Sequence, residues 1–168
     1  VVFNMFNYHV DRINCPNCNS KIKVKTYDGV NGKLDKNAKN KIIRGDFFEV
    51  ECPHCHNIVH LDYDLTYFDE TDNACIVCAI NDDYYIDTIS QIKEIKESED
   101  ATDLPLKTFI DYGNFRVVRN HVDLAEKAFI FSRGYDDRIL EILKKIHLEV
   151  IKEDERPEKL LFNVGEYS

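Results

Sequence analysis

The 168-residue chain lacks tryptophan altogether and contains one methionine, four prolines and six glycines. So little glycine and proline excludes collagen-like and low-complexity chains, which are rich in both. No apolar run approaches the ~20 residues that a membrane-spanning helix needs, so no membrane contact of that kind is expected. A signal-peptide pattern is also missing, which favours a cytoplasmic protein, although a chain that begins with Val1 leaves export open.

Hydrophobic residues are plentiful, although tryptophan is missing and methionine is rare. They make up 43% of the chain, with ten Phe and nine Tyr, so the chain can bury a core of its own. Its length fits one domain, or one domain with a small appendage.

The net charge of −9 opposes a protein that coats nucleic acid or anionic membranes. Segment 21–44 is nevertheless basic. Its lysines either form ordinary solvated faces of a strand and a helix, or they form a contact surface. The candidate contacts for nucleic acid or a partner are Lys21, Lys23, Lys25, Lys36, Lys39 and Arg44.

Hydrophobic patterning predicts strands and one helix in the first half of the chain. Strict alternation predicts a strand over 20–27, and a strand over 8–14 is expected on the other side of the first cysteine pair. A helix is expected over 33–44, ending at Gly45, and Asp28-Gly29 and Asn31-Gly32 indicate turns. Strands are expected over 47–51 and 57–65.

The second half is expected to be mainly helical. The continuous apolar run 74–80 predicts a buried strand, with which 84–87 could pair. Helices are predicted over 88–97, 121–133 and from Asp136 or Asp137 to about 152, and strands over 115–119 and 160–164. The last helix carries one apolar stripe, formed by Ile139, Ile142, Leu143 and Ile146.

The acidic stretch 97–103 is the best candidate for a domain boundary. It divides the chain into a β-rich part, 1–96, and a helical part, 104–168, unless both form one integrated domain over 10–165. The fold class is therefore predicted as α+β, with an antiparallel sheet that carries a four-cysteine site and packs with a C-terminal pair of helices.

The most specific signal is a pair of C-P-x-C motifs, 33 residues apart, that contain Cys15, Cys18, Cys52 and Cys55. Two residues between the cysteines allow both thiolates to reach one ion, and two such turns supply a closed tetrahedral shell. A closed shell leaves no position for substrate, so we expect a structural zinc ion, with iron as the less favoured alternative. His54, His56 and His60 near the second motif are read as surface residues rather than ligands.

A third pair, Cys75 and Cys78, lies within the apolar run 74–80. We interpret these cysteines as core residues, because residues three apart on a strand point to opposite faces. A redox dithiol is the competing hypothesis.

Several segments together resemble the CpXC domain family of bacteria and archaea. They are the two C-P-x-C motifs, Phe47 to Pro53, Leu65 to Asp69, Phe115 to Val118, Leu124 to Phe131 and Gly134 to Glu141. The resemblance implies a zinc-ribbon-like module of unassigned biochemistry and carries over no catalytic residue. Similar members have Gly where this chain has Asn19 and His56, so a slight distortion of the second motif is expected.

These observations favour a zinc-stabilised binding or adaptor module that contacts another protein. The alternative is a nucleic-acid-binding protein that uses segment 21–44. An enzyme is not favoured, because the chain contains no P-loop, nucleophile elbow, H-E-x-x-H motif or glycine-rich dinucleotide turn. The oligomeric state cannot be predicted from the sequence.

Overall fold

A computed structural model describes residues 7–100, 102–151, 155, 157 and 159–162. The strands are β1 (Tyr8–Asn14), β2 (Lys21–Tyr27), β3 (Gly29–Asn31), β4 (Glu49–Glu51), β5 (Ile58–His60), β6 (Leu65–Asp69), β7 (Ala74–Cys78) and β8 (Asn114–Val118). The helices are α1 (Lys36–Arg44), α2 (Asp82–Glu97), α3 (Leu104–Tyr112), α4 (His121–Ser132) and α5 (Asp137–Val150). Within these described residues, no helix combines the length and the apolar character needed to cross a membrane.

The strands form three sheets, and the α+β class is confirmed. Two small antiparallel sheets, β1–β2 and β4–β5, carry the C-P-x-C motifs at their turns. A four-stranded sheet has the order β3-β6-β7-β8. It is mixed rather than antiparallel, because β3 runs parallel to β6 and β7 runs parallel to β8.

The main core lies between the four-stranded sheet and the helices α1 and α4. The sheet contributes Leu65, Tyr67 and Ile76, while the helices add Ile42 and Leu124, all fully buried. Every residue of β7 is buried, which explains the continuous apolar run in the sequence. Cys75 and Cys78 lie in this strand, and burial raises the pKa of each thiol to about 12. Their interpretation as core residues is confirmed.

Local capping sets the bounds of α1. Asp35 accepts a hydrogen bond from the backbone amide of Ala38 at 2.9 Å, so the helix begins at Lys36 rather than at residue 33. Gly45 ends it with a φ of +86°, as predicted. Residues 29–31, predicted as turns, form β3 alongside β6. The predicted strand 57–65 is interrupted, because the chain leaves one sheet after His60 and joins another at Leu65.

The region after β7 differs most from the prediction. Residues 84–87 belong to α2 and do not pair with β7. The Asn81 side chain accepts hydrogen bonds from the amides of Asp83 and Tyr84, which starts this helix early. Helix α3 was not predicted at all. The strand expected over 160–164 is not formed at 160–162, and Val164 lies outside the described residues.

Candidate functional site

The two C-P-x-C turns share one backbone geometry. In the first turn, the amide of Cys15 donates to the Ser20 carbonyl at 2.9 Å, and the amide of Asn19 donates to the Cys15 carbonyl at 2.8 Å. In the second turn, the amide of Cys52 donates to the Asn57 carbonyl, and the amide of His56 donates to the Cys52 carbonyl, both at 2.9 Å. Each turn is therefore a closed hydrogen-bonded loop that fixes the spacing of its two cysteines.

The residue after each second cysteine has a left-handed backbone. Asn19 has a φ of +56° and His56 a φ of +59°. The distortion expected at His56 is absent, since the two turns have almost the same φ and hydrogen bonds. The left-handed conformation costs a side chain such as histidine of order 1 kcal/mol or more, so the surrounding hairpin must impose it.

The four sulfurs of Cys15, Cys18, Cys52 and Cys55 converge on one point. All lie within 4.8 Å of one another. The Sγ atoms of Cys15 and Cys55 are 3.7 Å apart, as are those of Cys18 and Cys52. A tetrahedron with metal–sulfur bonds of ~2.3 Å has edges of about 3.8 Å, which these separations match. A disulfide would require about 2.05 Å, and all four cysteines are free.

Burial distinguishes an inner from an outer side of the cluster. Cys15 and Cys52 are fully buried against a second, smaller apolar core. That core is formed by residues from both hairpins: Ile22, Val24, Val59 and Leu61. Cys18 and Cys55 are partly exposed. Tyr63 packs against both this core and the main core, so the cysteine-bearing hairpins are joined to the rest of the described chain through it.

Hydrogen bonds to the sulfurs favour thiolates in the turns. The Ser20 side chain and then its backbone amide lower the pKa of Cys18 to about 6. The Asn17 side chain, followed by the backbone amide of Asn57, lowers the pKa of Cys55. The backbone amide of His54 tends to lower the pKa of Cys52. Burial and the adjacent thiols outweigh this effect and raise the pKa to about 11. Four neighbouring thiolates repel one another, so a cation is needed to ionise them all.

The histidines near the second turn lie outside this cluster. His56 Nδ1 is 2.7 Å from a Glu51 carboxylate oxygen, and His60 Nδ1 is 3.5 Å from one of Glu49. His54 is exposed. Pairing with carboxylates on the adjacent strand accounts for His56 and His60 without a ligand role.

The lysines of β2 form an exposed basic face on the first hairpin. Lys21, Lys23 and Lys25 are exposed and lie opposite Asn14, Arg12 and Val10 of β1. Residues directly opposite share a face, so Arg12 joins the three lysines. The Lys25 ammonium lies 4.8 Å from the ring centre of Tyr8, which is itself exposed. None of the paired positions on this face is acidic.

The other basic candidates are not part of this face. Lys39 Nζ lies 2.7 Å from Asp69 and 2.6 Å from Asp72, and its side chain is only 18% exposed. Arg44 is 2.9 Å from Asp46. Lys36 is exposed on α1. Lys36 and Arg44 are thus exposed apart from the β2 lysines, and Lys39 is largely buried in ion pairs.

The apolar stripe of α5 faces solvent, which the sequence did not reveal. Ile139, Ile142, Leu143, Ile146 and Val150 are each more than half exposed. The inward side of the helix carries charged residues beside Leu140, which packs against the main core. Asp137 is buried on this side, and Lys144 is 13% exposed. Most aliphatic side chains of α5 therefore face solvent, whereas in an ordinary surface helix they pack against the core.

A chain of ion pairs holds the inward side of α5. Asp137 accepts two hydrogen bonds from Arg116 and lies 3.1 Å from Lys127. Lys144 lies 2.6 Å from Glu126 of α4 and 3.1 Å from Glu141. Asp136, one of the two residues expected to start the helix, caps it and pairs with Arg138 at 2.7 Å, whereas Asp137 serves this buried network. The pairing of Arg116 on β8 with Asp137 is not visible in the sequence, so this second role could not be anticipated.

A sequence model of one family, described as CpXC protein, matches residues 13–144. The matched segment contains both cysteine turns, the whole four-stranded sheet and the first half of α5. No curated protein matches the chain. No solved structure matches it either.

Proposed function

The chain belongs to the CpXC protein family, and we propose that it is a cytoplasmic, zinc-stabilised module that binds another protein. The exposed apolar face of α5 carries this proposal. Five aliphatic side chains in water form a patch of the kind that marks protein interaction sites. Polar side chains recur on the same helix, so the patch has the apolar centre and polar border of an interface.

The donor set supports zinc as the metal. Four thiolates at tetrahedral spacing suit zinc, and also iron in rubredoxin-like sites. Bound by Cys15, Cys18, Cys52 and Cys55, the ion would cross-link the two hairpins and leave no coordination position for a substrate. Structural zinc sites contribute ~10–16 kcal/mol in small peptides, which equals or exceeds the stability of a typical domain. The metal would thus stabilise the fold, and we assign partner binding to the exposed face of α5.

We further propose that residues 10–165 form one integrated domain rather than separate parts at 1–96 and 104–168. The contacts of Tyr63 with both apolar cores support this view. The packing of α4 on the sheet through Leu124 and Ala128 also supports it.

Affinity capture from the native cell tests the binding function. The intact chain, a Leu143→Lys variant and an Ile86→Lys variant serve as baits. Ile86 is a matched control, because it is 61% exposed on α2, away from the α5 face, whereas Leu143 is 54% exposed. We expect a protein that the intact chain and Ile86→Lys retain and Leu143→Lys loses. Identical captures by all three baits would contradict the proposal.

A second candidate function is nucleic-acid binding through the β1–β2 hairpin. The basic face formed by Arg12, Lys21, Lys23 and Lys25 supports it, since cations spaced along a strand can follow phosphates. Exposed Tyr8 beside Lys25 offers an aromatic surface for a base. The excess of acidic residues in the rest of the chain opposes it.

A further inference from the structure

We propose that the α5 face pairs with the same face of a second copy of this chain, with the two helices antiparallel. This inference rests on the proposed function, because it names the partner of the surface to which binding was assigned. Three features of the described residues carry it: the shape of the apolar stripe, the anchoring of the helix and the distribution of its charges.

The stripe has the spacing of a helix-pairing seam. Its members follow one another at intervals of three, one, three and four residues, so they lie on one side of α5 over nearly its full length. Each side chain leaves roughly 100 Å² in water, so pairing two stripes could bury at most about 1,000 Å², near the lower limit for a specific interface. A second copy supplies an apolar surface of the same length, as a symmetric interface requires.

The ion pairs beneath α5 fix which side faces outward. Rotating the helix to bury the stripe would break the contacts of Asp137 with Arg116 and of Lys144 with Glu126. It would also leave their charges without partners, which costs more than exposing aliphatic groups. Because the helix is held in this orientation, the stripe stays exposed among the described residues unless a further surface covers it.

The charges of α5 favour the antiparallel arrangement. Arg138 lies in the first turn, where it also pairs with Asp136, and Glu149 lies in the last; both are exposed. In an antiparallel pair, Arg138 of one copy lies beside the partner's Glu149, twice by symmetry. A parallel pair would instead place Arg138 and Glu149 at opposite ends of the interface, so this contact could not form. The opposed helix dipoles add to the same preference.

Sedimentation velocity of the full, metal-loaded chain over a range of concentrations tests the pairing. We expect twice the chain mass of 19.7 kDa, falling to one chain mass for Leu143→Lys or Ile146→Lys. Both residues are exposed, so these variants are expected to fold, which circular dichroism checks. Ile86→Lys is the control and should remain dimeric. An intact chain that is monomeric at every concentration would overturn the inference.

Charge reversal tests the orientation separately. Arg138→Glu should weaken the dimer, and adding Glu149→Arg should restore it, because the pair is reconstituted in the opposite sense. In a parallel dimer, Arg138→Glu would strengthen association or leave it unchanged, and that result would overturn the antiparallel geometry.

The two proposals fail in distinguishable ways. A monomeric chain whose α5 face still captures a different protein would contradict self-association and leave the binding function standing. A monomeric chain without α5-dependent capture would contradict both. A dimer that survives Leu143→Lys and Ile146→Lys would show that another surface pairs, and it too would overturn the inference.

Discussion

Arg116 on β8 and Asp137 at the start of α5 are joined by two hydrogen bonds. The Nε–Oδ2 distance is 2.7 Å and the Nη2–Oδ1 distance is 2.5 Å, with the Asp137 side chain only 4% exposed. This bidentate pair links the four-stranded sheet to the last helix. It explains how α5 keeps an apolar face in water, because the ion pair with Arg116 holds the Asp137 side of the helix against the sheet.

Asp137→Asn should destabilise the fold. The change removes the carboxylate that Arg116 and Lys127 share, although Lys127 keeps its contact with Glu141 at 2.8 Å. We expect a loss of about 2–3 kcal/mol in the free energy of unfolding, near the lower end for buried pairs, because Arg116 is 27% exposed. Urea unfolding measures the loss. Asp136→Asn is the control and should change little, because asparagine also caps helices well.

The same pair predicts a dependence of stability on acid. Burial tends to raise the pKa of Asp137, but the hydrogen bonds and charge of Arg116, followed by those of Lys127, lower it below the usual value. A lowered pKa contributes stability that is present above the unfolded value of about 3.9 and is lost as the pH falls through the folded pKa. Unfolding of the intact chain followed below pH 4 should therefore show a steeper loss than Asp137→Asn. Parallel curves would contradict this prediction.

Cys75 and Cys78 should resist alkylation in the folded protein. Both are buried in β7, and burial raises the pKa of each thiol to about 12, so little reactive thiolate forms at neutral pH. Mass spectrometry after iodoacetamide treatment should find them unlabelled until denaturant is added. Rapid labelling of both in the native protein would instead support the dithiol hypothesis.

Salt dependence tests the nucleic-acid candidate. If the β1–β2 face binds phosphates, affinity for a single-stranded oligonucleotide should fall steeply with salt. Lys21→Gln/Lys23→Gln should then reduce the slope of log affinity against log salt by about two, roughly one per lysine removed. Lys93→Gln/Lys96→Gln on α2 removes equal charge elsewhere and should leave the slope unchanged. Equal slopes in both double variants would exclude this face.

Local chemistry made much of the fold predictable. Strict alternation in 20–27 fixed the β2 strand, and Gly45 fixed the end of α1. The C-P-x-C spacing predicted which four cysteines come together. The first two signals lie within a few residues of the structure that they specify, whereas the two cysteine pairs are distant in sequence and were matched because one ion takes four thiolates.

The missed features depend on contacts between distant segments. Residues 29–31 become a strand only because β6 lies beside them, 37 residues further along the chain. The outward orientation of α5 depends on Arg116 and Glu126, which pair with its charged side. The apolar pattern predicted the stripe correctly but not its exposure, since periodicity alone does not identify which side packs.

The most direct test of the four-cysteine site combines metal analysis with sulfur ligation. We expect one zinc ion per chain, four sulfur ligands near 2.3 Å by X-ray absorption, and no zinc in Cys52→Ser. Circular dichroism should show that this variant loses the structure of the two hairpins, because the ion joins them. A purified chain that is fully folded without metal, or one whose cysteines are paired as disulfides, would contradict the account.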